Sequence, residues 1–199
     1  MPDYSFEILA AQKGYKFICG VDEAGRGPLA GPVCAAAVVL PEGLEIPGLN
    51  DSKKLTAKKR EQLFPVIIEK ALAYGIAYGA VEEIEEHNIL NATYLAMNRA
   101  IKALQQSADY ALIDGNRVPK ECPVPCETIV KGDSKSMSIA AASILAKVTR
   151  DRLMEQLDSE YPQYGFAQHA GYGTKAHIEA IRIHGVSPVH RMSFLKNIL

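Results

Sequence analysis

This sequence of 199 residues has no excess of charge of either sign. Lys and Arg number 22 and Asp and Glu number 23, which leaves a formal net charge of −1. A protein that held a polyanion with its whole surface would carry a strong positive excess. Any contact with nucleic acid must therefore come from a local basic patch.

Long apolar runs are also missing. No run approaches the ~20 residues that span a bilayer, and the polar N-terminus has no apolar signal core. The composition, 48% hydrophobic and 23% charged, is ordinary for a soluble globular protein. We expect a cytoplasmic protein with no membrane partner, built as one domain or as a domain with a small appendage.

Paired metal-binding motifs of Cys and His are absent as well. The four cysteines, at 19, 34, 122 and 126, show no Cys-x-x-Cys spacing. They are typical of reduced thiols in a cytosolic protein. The five histidines form no ligand pattern in the sequence, and we expect them at the surface or in supporting positions around a site.

The most informative stretch covers residues 17–40. Two apolar runs, 17–21 and 33–40, flank a turn rich in Gly and Pro that is too short for a crossover helix. This predicts two antiparallel strands. Asp22 and Glu23 stand at the end of the first. Neighbouring side chains on a strand point to opposite faces, so a bulge or a strand end would be needed for both to reach one site.

Two further carboxylates follow apolar segments. Asp114 ends a strand predicted at 109–116, and Asp133 lies in the polar loop 131–136, before a helix predicted at 138–157. The helix predicted at 88–105 implies a crossover, so the strand ending in Asp114 should run parallel to a neighbour and place Asp114 beside Asp22. Converging carboxylates without Cys or His select hard cations, Mg²⁺ or Mn²⁺. Two such ions roughly 4 Å apart can clamp a phosphodiester.

The remaining elements complete a mixed α/β pattern. Strands are predicted at 74–81 and 127–130, and helices at 56–72 and 174–184, with Thr56 and Thr174 as caps. The basic run at the start of the first of these helices (Lys53, Lys54, Lys58, Lys59 and Arg60) has two open interpretations. It is either a solvated helix face or a clamp on a phosphate backbone.

The run 22–32, DEAGRGPLAGP, resembles the signature of the ribonuclease HII (type 2 ribonuclease H) family. Further matching segments occur in order at 48–55, 112–116, 130–134, 141–151 and 171–174. The resemblance implies an α/β, ribonuclease H-like fold with a mixed five-stranded sheet flanked by helices. It also implies a catalytic domain at 1–160 and a C-terminal helical segment at 161–199 that carries a tyrosine loop.

The resemblance implies an endoribonuclease that hydrolyses the RNA strand of RNA–DNA hybrids and nicks 5′ of single ribonucleotides embedded in duplex DNA. Two Mn²⁺ or Mg²⁺ ions would act with the substrate bound, leaving 3′-OH and 5′-phosphate ends, and the enzyme would be a monomer that serves ribonucleotide and primer removal. The family's catalytic and metal-binding acids match Asp22, Glu23, Asp114 and Asp133. Its substrate-binding positions match Gly25, Arg26, Gly27, Tyr172, Lys53, Ser134 and Lys147.

Two departures from the family pattern concern substrate affinity. Ala170 stands where many members carry Lys, so one phosphate contact is expected to be missing. The C-terminal helical extension of some members is expected to be absent or trimmed, because the sequence ends at Leu199. Three alternatives remain open: a ribonuclease HIII, against which Arg26 argues because that family typically has Lys there; a nuclease acting on DNA alone; and a binding module whose acids are structural.

Overall fold

Five strands form one mixed sheet in the order β3-β2-β1-β4-β5. The computed structural model describes residues 1–196 and 198. The strands are β1 (Ile18–Ala24), β2 (Val33–Val39), β3 (Ala73–Gly79), β4 (Tyr110–Asp114) and β5 (Cys126–Ile129). β2 runs antiparallel to β1 and β3, whereas β4 runs parallel to β1 and β5. The predicted hairpin followed by parallel crossovers is confirmed.

Within the described residues, seven α-helices flank this sheet. They are α1 (Ser5–Gln12), α2 (Ala57–Lys70), α3 (Val81–Lys102), α4 (Met137–Glu160), α5 (Phe166–His169), α6 (Lys175–His184) and α7 (Met192–Leu195). The side chains of Thr56 and Thr174 accept hydrogen bonds from the first turns of α2 and α6, as predicted. In the same described part of the chain, no helix is both long enough and apolar enough to cross a bilayer.

Helix α3 contains the boundary that the sequence predicts at Asn88. This residue has φ 68° and ψ 164°, and its side chain accepts hydrogen bonds from the backbone N–H groups of Leu90 and Asn91. Asn88 therefore caps the second half of the helix, while the acidic residues from Glu82 onward form the turns before the kink. The kinked helix packs its apolar stripe on one face of the sheet.

Helix α4 packs on the opposite face at very short range. A Cβ atom on Gly20 would lie 2.2 Å from the backbone nitrogen of Ile139, so only glycine fits at this point of β1. The small residues Ala140, Ala141 and Ala142 allow the same close approach along the helix. The start of α4 is thereby fixed beside β1 and β4.

The chain after residue 160 packs on the end of α4 and on the loop that follows β1. Leu29 and Ala30 of that loop share an apolar cluster with Met154, Tyr164 and Phe166. The predicted division into 1–160 and 161–199 stays a prediction, and residues 197 and 199 of the second part lie outside the described residues.

The expectation that histidines lie at the surface is confirmed for His87 and His184, which are exposed, and is wrong for His177 and His190. His177 and His190 are 0% and 2% exposed, because both rings pack against Phe166. His169 stacks on His177 with ring centroids 4.5 Å apart. A neutral imidazole is an aromatic ring with two polar nitrogens, so it can be buried once those nitrogens are hydrogen-bonded.

Candidate active site

Three of the four predicted acids meet at one end of the sheet. Carboxylate oxygens of Asp22, Asp114 and Asp133 all lie within 4.8 Å of one another. Asp22 comes from β1, Asp114 is the last residue of β4, and Asp133 lies in the turn that leads into α4. Because β1 and β4 are parallel neighbours, their carboxyl ends open at the same edge.

Glu23 is not a member of this group of three, and strand alternation explains why. β1 remains regular beyond the acids, with Asp22 opposite Ala36 and Glu23 opposite Ala35, so no bulge brings the two side chains to one face. Asp22 lies on the face that carries α4, and Glu23 lies on the face that carries α3. There Glu23 accepts a hydrogen bond of 3.4 Å from Nη1 of Arg26.

Local backbone geometry orients the other two acids. The N–H of Gly132 donates to Oδ1 of Asp114 at 2.6 Å, which fixes that carboxylate at the strand end. Lys131 has φ 57°, an uncommon left-handed conformation that turns the chain into the Asp133 segment. Since Ser136 caps α4, the carboxylate of Asp133 is not needed as the cap and instead accepts from Nζ of Lys53 at 3.3 Å.

The electrostatics of the group favour a bound cation. Burial, followed by the charges of Glu23 and Asp114, raises the pKa of Asp22 well above its ordinary value. Burial and Asp133 likewise raise the pKa of Asp114. Burial works against the charge of Lys53, but Asp22 and Asp133 outweigh it and raise the pKa of this ammonium. Clustered carboxylates of this kind either share protons or bind cations, and oxygen ligands alone suit Mg²⁺ or Mn²⁺.

A cleft of about 190 Å³ opens beside Asp22 on the α4 side. Six of the seven predicted substrate-binding residues line it: Gly25, Arg26, Gly27, Lys53, Lys147 and Tyr172. The seventh, Ser134, is not in this lining, and its hydroxyl donates to the carbonyl of Lys131 at 2.9 Å.

Tyr172 and the glycine turn lie side by side in the lining of this cleft. The tyrosine is 47% exposed, and a Cβ atom on Gly27 would lie 3.5 Å from its ring. The positions of Lys53 and Lys147 in the same cleft favour the phosphate-clamp interpretation for Lys53. Lys54 and Arg60 of the basic run form ion pairs with Asp51 and Asp151 instead.

A second cavity, of about 360 Å³, lies on the α3 side of Asp114. Its polar lining includes Glu23, Arg26, Asn116 and Arg117, and its apolar wall comes from α3. Cationic and apolar surface on both sides of the acids is what a bound nucleic acid strand needs. The sequence did not single out Arg117, whose loop position offers no periodic signal.

Two buried arginines were also missed. The guanidinium of Arg150, 1% exposed, donates to the carbonyls of Pro32, Ala170 and Ala30 at 3.0, 2.9 and 3.0 Å. Arg150 occupies the apolar stripe of α4, four residues after Ala146, and a cation on such a stripe is the signal that could have found it. Arg191, 0% exposed, showed no comparable signal.

The sequence profile of the family described as Ribonuclease HII matches residues 19–197. The Ribonuclease HII of Clostridioides difficile (strain 630) is 59% identical over 194 residues, which is 98% of this chain and 76% of that protein. The chain belongs to the ribonuclease HII family. The Ribonuclease HII of Dechloromonas aromatica (strain RCB) is 60% identical over 177 residues, 89% of this chain and 90% of the relative. These matches identify the protein as a ribonuclease H enzyme.

Solved structures agree with this family membership. The ribonuclease H2 of Pyrococcus horikoshii OT3 superposes with a TM-score of 0.76 at 29% identity, covering 92% of this chain and 97% of that one. A Bst-RNase HIII structure in complex with Mn²⁺ gives a TM-score of 0.63 at 22% identity, covering 89% of this chain and 66% of that one. The second match shows a shared fold.

Proposed function

We propose that this ribonuclease hydrolyses the RNA strand of RNA–DNA hybrids and nicks 5′ of single ribonucleotides embedded in duplex DNA. The observation that carries the proposal is the meeting of Asp22, Asp114 and Asp133 within 4.8 Å, beside a cleft that the Gly25–Gly27 turn and Tyr172 line side by side. Family membership and the likeness to a ribonuclease H2 support it.

Asp22, Asp114 and Asp133, with Glu23 beside them, would hold divalent cations, Mn²⁺ or Mg²⁺, two of them once substrate is bound. The fit rests on the donor set, which is oxygen only, and on the pKa values of Asp22 and Asp114, which burial and then neighbouring carboxylates raise. When bound, such ions supply Lewis-acid activation of water and charge stabilisation at the leaving oxygen.

The residues of the chain define which bond is broken. Nicking 5′ of the ribonucleotide means that water oxygen bonds to phosphorus while the P–O3′ bond breaks, and a proton ends on O3′. The products are a 3′-OH and a 5′-phosphate. Asp22 and Asp114 would face the scissile phosphate, and Lys53 would approach it with an ammonium group that already lies 3.3 Å from Asp133.

Recognition of the ribonucleotide falls to these two parts of the cleft lining. The 2′-OH is the only group that distinguishes the two sugars at this point, and backbone groups of the Gly25–Gly27 turn can hydrogen-bond to it. A site that bonds a hydroxyl rejects the analogue that lacks it by about 10⁴-fold, because its polar groups are left unpaired. Tyr172 would stack on the neighbouring deoxyribose, while Arg26 and Lys147 would contact phosphates.

The proposed setting is a monomer in the cytoplasm, acting in ribonucleotide removal from DNA and in primer removal. A solved structure that resembles this chain, with 26% identity and a TM-score of 0.69, is of a PCNA:RNase HII complex from Archaeoglobus fulgidus. The proposed arrangement assigns the acids to 1–160 and the Tyr172 loop to 161–199.

The test is cleavage of a DNA duplex that carries one ribonucleotide, in Mg²⁺ and in Mn²⁺, with both product ends identified. We expect a single cut 5′ of the ribonucleotide. Equal cleavage of an all-DNA duplex would favour a DNA nuclease, and no cleavage in either metal would favour a binding module. Asp22→Asn provides the control, because it should bind the duplex without cutting it.

A further inference from the structure

A buried pair of histidines connects the C-terminal part of the chain to Tyr172. Nδ1 of His177 lies 2.9 Å from the backbone carbonyl oxygen of Tyr172, and Nε2 of His177 lies 3.1 Å from Nε2 of His190. Nδ1 of His190 lies 2.9 Å from the backbone nitrogen of Ser187. One hydrogen-bond chain thus runs from Ser187 to Tyr172 in the lining of the cleft.

Only one pair of neutral tautomers satisfies this chain. A carbonyl oxygen can only accept, so His177 carries its proton on Nδ1 and leaves Nε2 as an acceptor. A backbone N–H can only donate, so Nδ1 of His190 accepts and Nε2 carries the proton. That proton points at the free Nε2 of His177. Protonation of His177 would place two N–H donors against each other at 3.1 Å, and protonation of His190 would place a second donor against the N–H of Ser187 at 2.9 Å.

Arg191, the residue after His190, holds the turn that contains Gly25 and Gly27. Its guanidinium donates to the carbonyl oxygens of Gly31, Arg26 and Gly25 at 2.8, 3.0 and 2.7 Å. Burial, followed by the nearby charge of Arg150, lowers the pKa of Arg191 to about 9, so the group remains a charged donor at neutral pH.

These contacts also decide where the turn presents its donors. In a trans peptide the C=O of one residue and the N–H of the next point in opposite directions. The carbonyls of Gly25 and Arg26 point inward to Arg191. The N–H groups of Arg26 and Gly27 therefore point away from Arg191, on the side where the turn lines the cleft.

The segment that carries both residues is itself fixed to the loop after β1. His190 forms an isolated antiparallel bridge with Ala30, and the backbone N–H of Arg191 donates to the carbonyl of Leu29 at 2.8 Å. The N–H of Gly31 donates to the carbonyl of Val189 at 2.8 Å. Of two consecutive residues in this segment, His190 therefore reaches Tyr172 through His177, and Arg191 bonds directly to the Gly25–Gly27 turn.

We propose that His177, His190 and Arg191 are positioning residues that set the spacing between Tyr172 and the Gly25–Gly27 turn, and with it the preference for a ribonucleotide flanked by DNA. They touch neither the carboxylates nor the substrate. This inference rests on the proposed function of the cleft.

The matched variants are His177→Asn and His177→Gln. An Asn amide nitrogen occupies the place of Nδ1 and keeps the bond to Tyr172, whereas a Gln amide reaches the place of Nε2 and loses it. The measured quantity is the ratio of kcat/KM on a duplex with one ribonucleotide to kcat/KM on a long hybrid. We expect His177→Gln to lower this ratio by about 10-fold or more, since displacements near 1 Å can reduce rates by about 10²-fold, and His177→Asn to stay within about threefold of wild type. Equal loss on both substrates in His177→Gln would overturn the inference.

Arg191→Lys provides the second arm. A lysine ammonium cannot replace the planar fork that reaches three carbonyls, so the same ratio should fall. Arg182→Lys, an exposed substitution on α6, and His184→Gln, exposed at its end, are the controls and should leave the ratio unchanged. Thermal unfolding of every variant shows which of them fold, and an unchanged ratio in folded Arg191→Lys would overturn the role of Arg191.

A readout without catalysis separates this inference from the proposed function. ¹⁵N spectra of the imidazoles in the full chain with Mg²⁺ should contain the signal of an Nδ1–H ring that disappears in His177→Gln. They should also contain the signal of an Nε2–H ring that disappears in His190→Gln. Any other tautomer pair would overturn the hydrogen-bond chain, whatever the enzyme cuts. Wild-type enzyme that cuts all-DNA duplexes equally well would instead overturn the proposed function while the spectra still decide the geometry.

Discussion

Replacing Asp22 by Asn removes one buried negative charge while keeping the shape of the side chain. Two unit charges 4.8 Å apart repel by about 3.5 kcal/mol at an effective dielectric constant of 20. Burial, and then repulsion from Glu23 and Asp114, raise the pKa of Asp22, so proton uptake relieves part of both penalties. Without metal, we therefore expect Asp22→Asn to be more stable than wild type by about 1–2 kcal/mol.

Added cation should make wild type the more stable of the two proteins. A ligand at 100 times its Kd stabilises the folded state by about 2.7 kcal/mol, which for a chain of this size raises Tm by roughly 5–11 °C. A variant that binds about 100-fold more weakly gains only about 0.4 kcal/mol under the same conditions, or roughly 1 °C. Cleavage by Asp22→Asn should be abolished while duplex binding survives.

The assay is thermal unfolding by circular dichroism with and without Mn²⁺, at a concentration set from a wild-type titration. Asp109→Asn is the matched control, because Asp109 precedes the opposite end of β4 and accepts from the N–H groups of Lys16 and Phe17 at 2.8 and 2.9 Å. It should lose about 1 kcal/mol and keep the full Mn²⁺ response. The reasoning is refuted if Mn²⁺ raises the Tm of Asp22→Asn as much as that of wild type, or if this variant turns over substrate normally.

Three further outcomes follow from the same geometry. Tyr172→Ala should reduce kcat/KM at single embedded ribonucleotides more than on long hybrids, and an equal loss on both would count against junction sensing. Gly25→Ala should lose at least about 2 kcal/mol in urea unfolding, because φ is +95° and the new Cβ would lie 1.9 Å from Nε of Arg150; an unchanged midpoint would contradict this. Burial, followed by His177, lowers the pKa of His190 to about 4 from an ordinary 6.5. The contribution of neutral His190 to the free energy of unfolding should be complete above about pH 6.5 and lost as pH falls through 4, by at most about 3 kcal/mol. A free-energy difference between wild type and His190→Gln that stays constant from pH 7 to 4 would disprove this expectation.

Local chemistry made the framework predictable. Alternating and continuous apolar runs located the strands, and Thr56 and Thr174 marked helix starts through side-chain bonds to the next turn. The parallel direction of β4 followed from the intervening helix, whereas its place beside β1 is decided across the sheet. Features that depend on a few consecutive residues were the ones that the sequence could predict.

The direction of Glu23 needed information from another strand. Its face depends on whether β1 ends at the acids or continues past them, and the pairing of Glu23 with Ala35 and of Ala24 with Cys34 carries the strand onward. That pairing depends on the residues of β2, and residues 22 and 23 alone do not indicate it. The burial of His177 and His190 likewise depends on a cluster assembled from separate helices and loops.

Arg150 and Arg191 show why the residues that support the cleft are hard to find by sequence reasoning. Ion pairs can be proposed by matching charges along a sequence, but both guanidiniums bond to backbone carbonyls, which every residue has. A charge buried this way is stable only because the loop after β1 and the Ala170 turn offer six inward carbonyls to it. The carboxylates are fixed by the sheet and α4, whereas the cleft walls are fixed by this second set of contacts. We therefore expect the proposed cation binding and the proposed ribonucleotide selectivity to be separable, with variants of one set of contacts affecting one property and not the other.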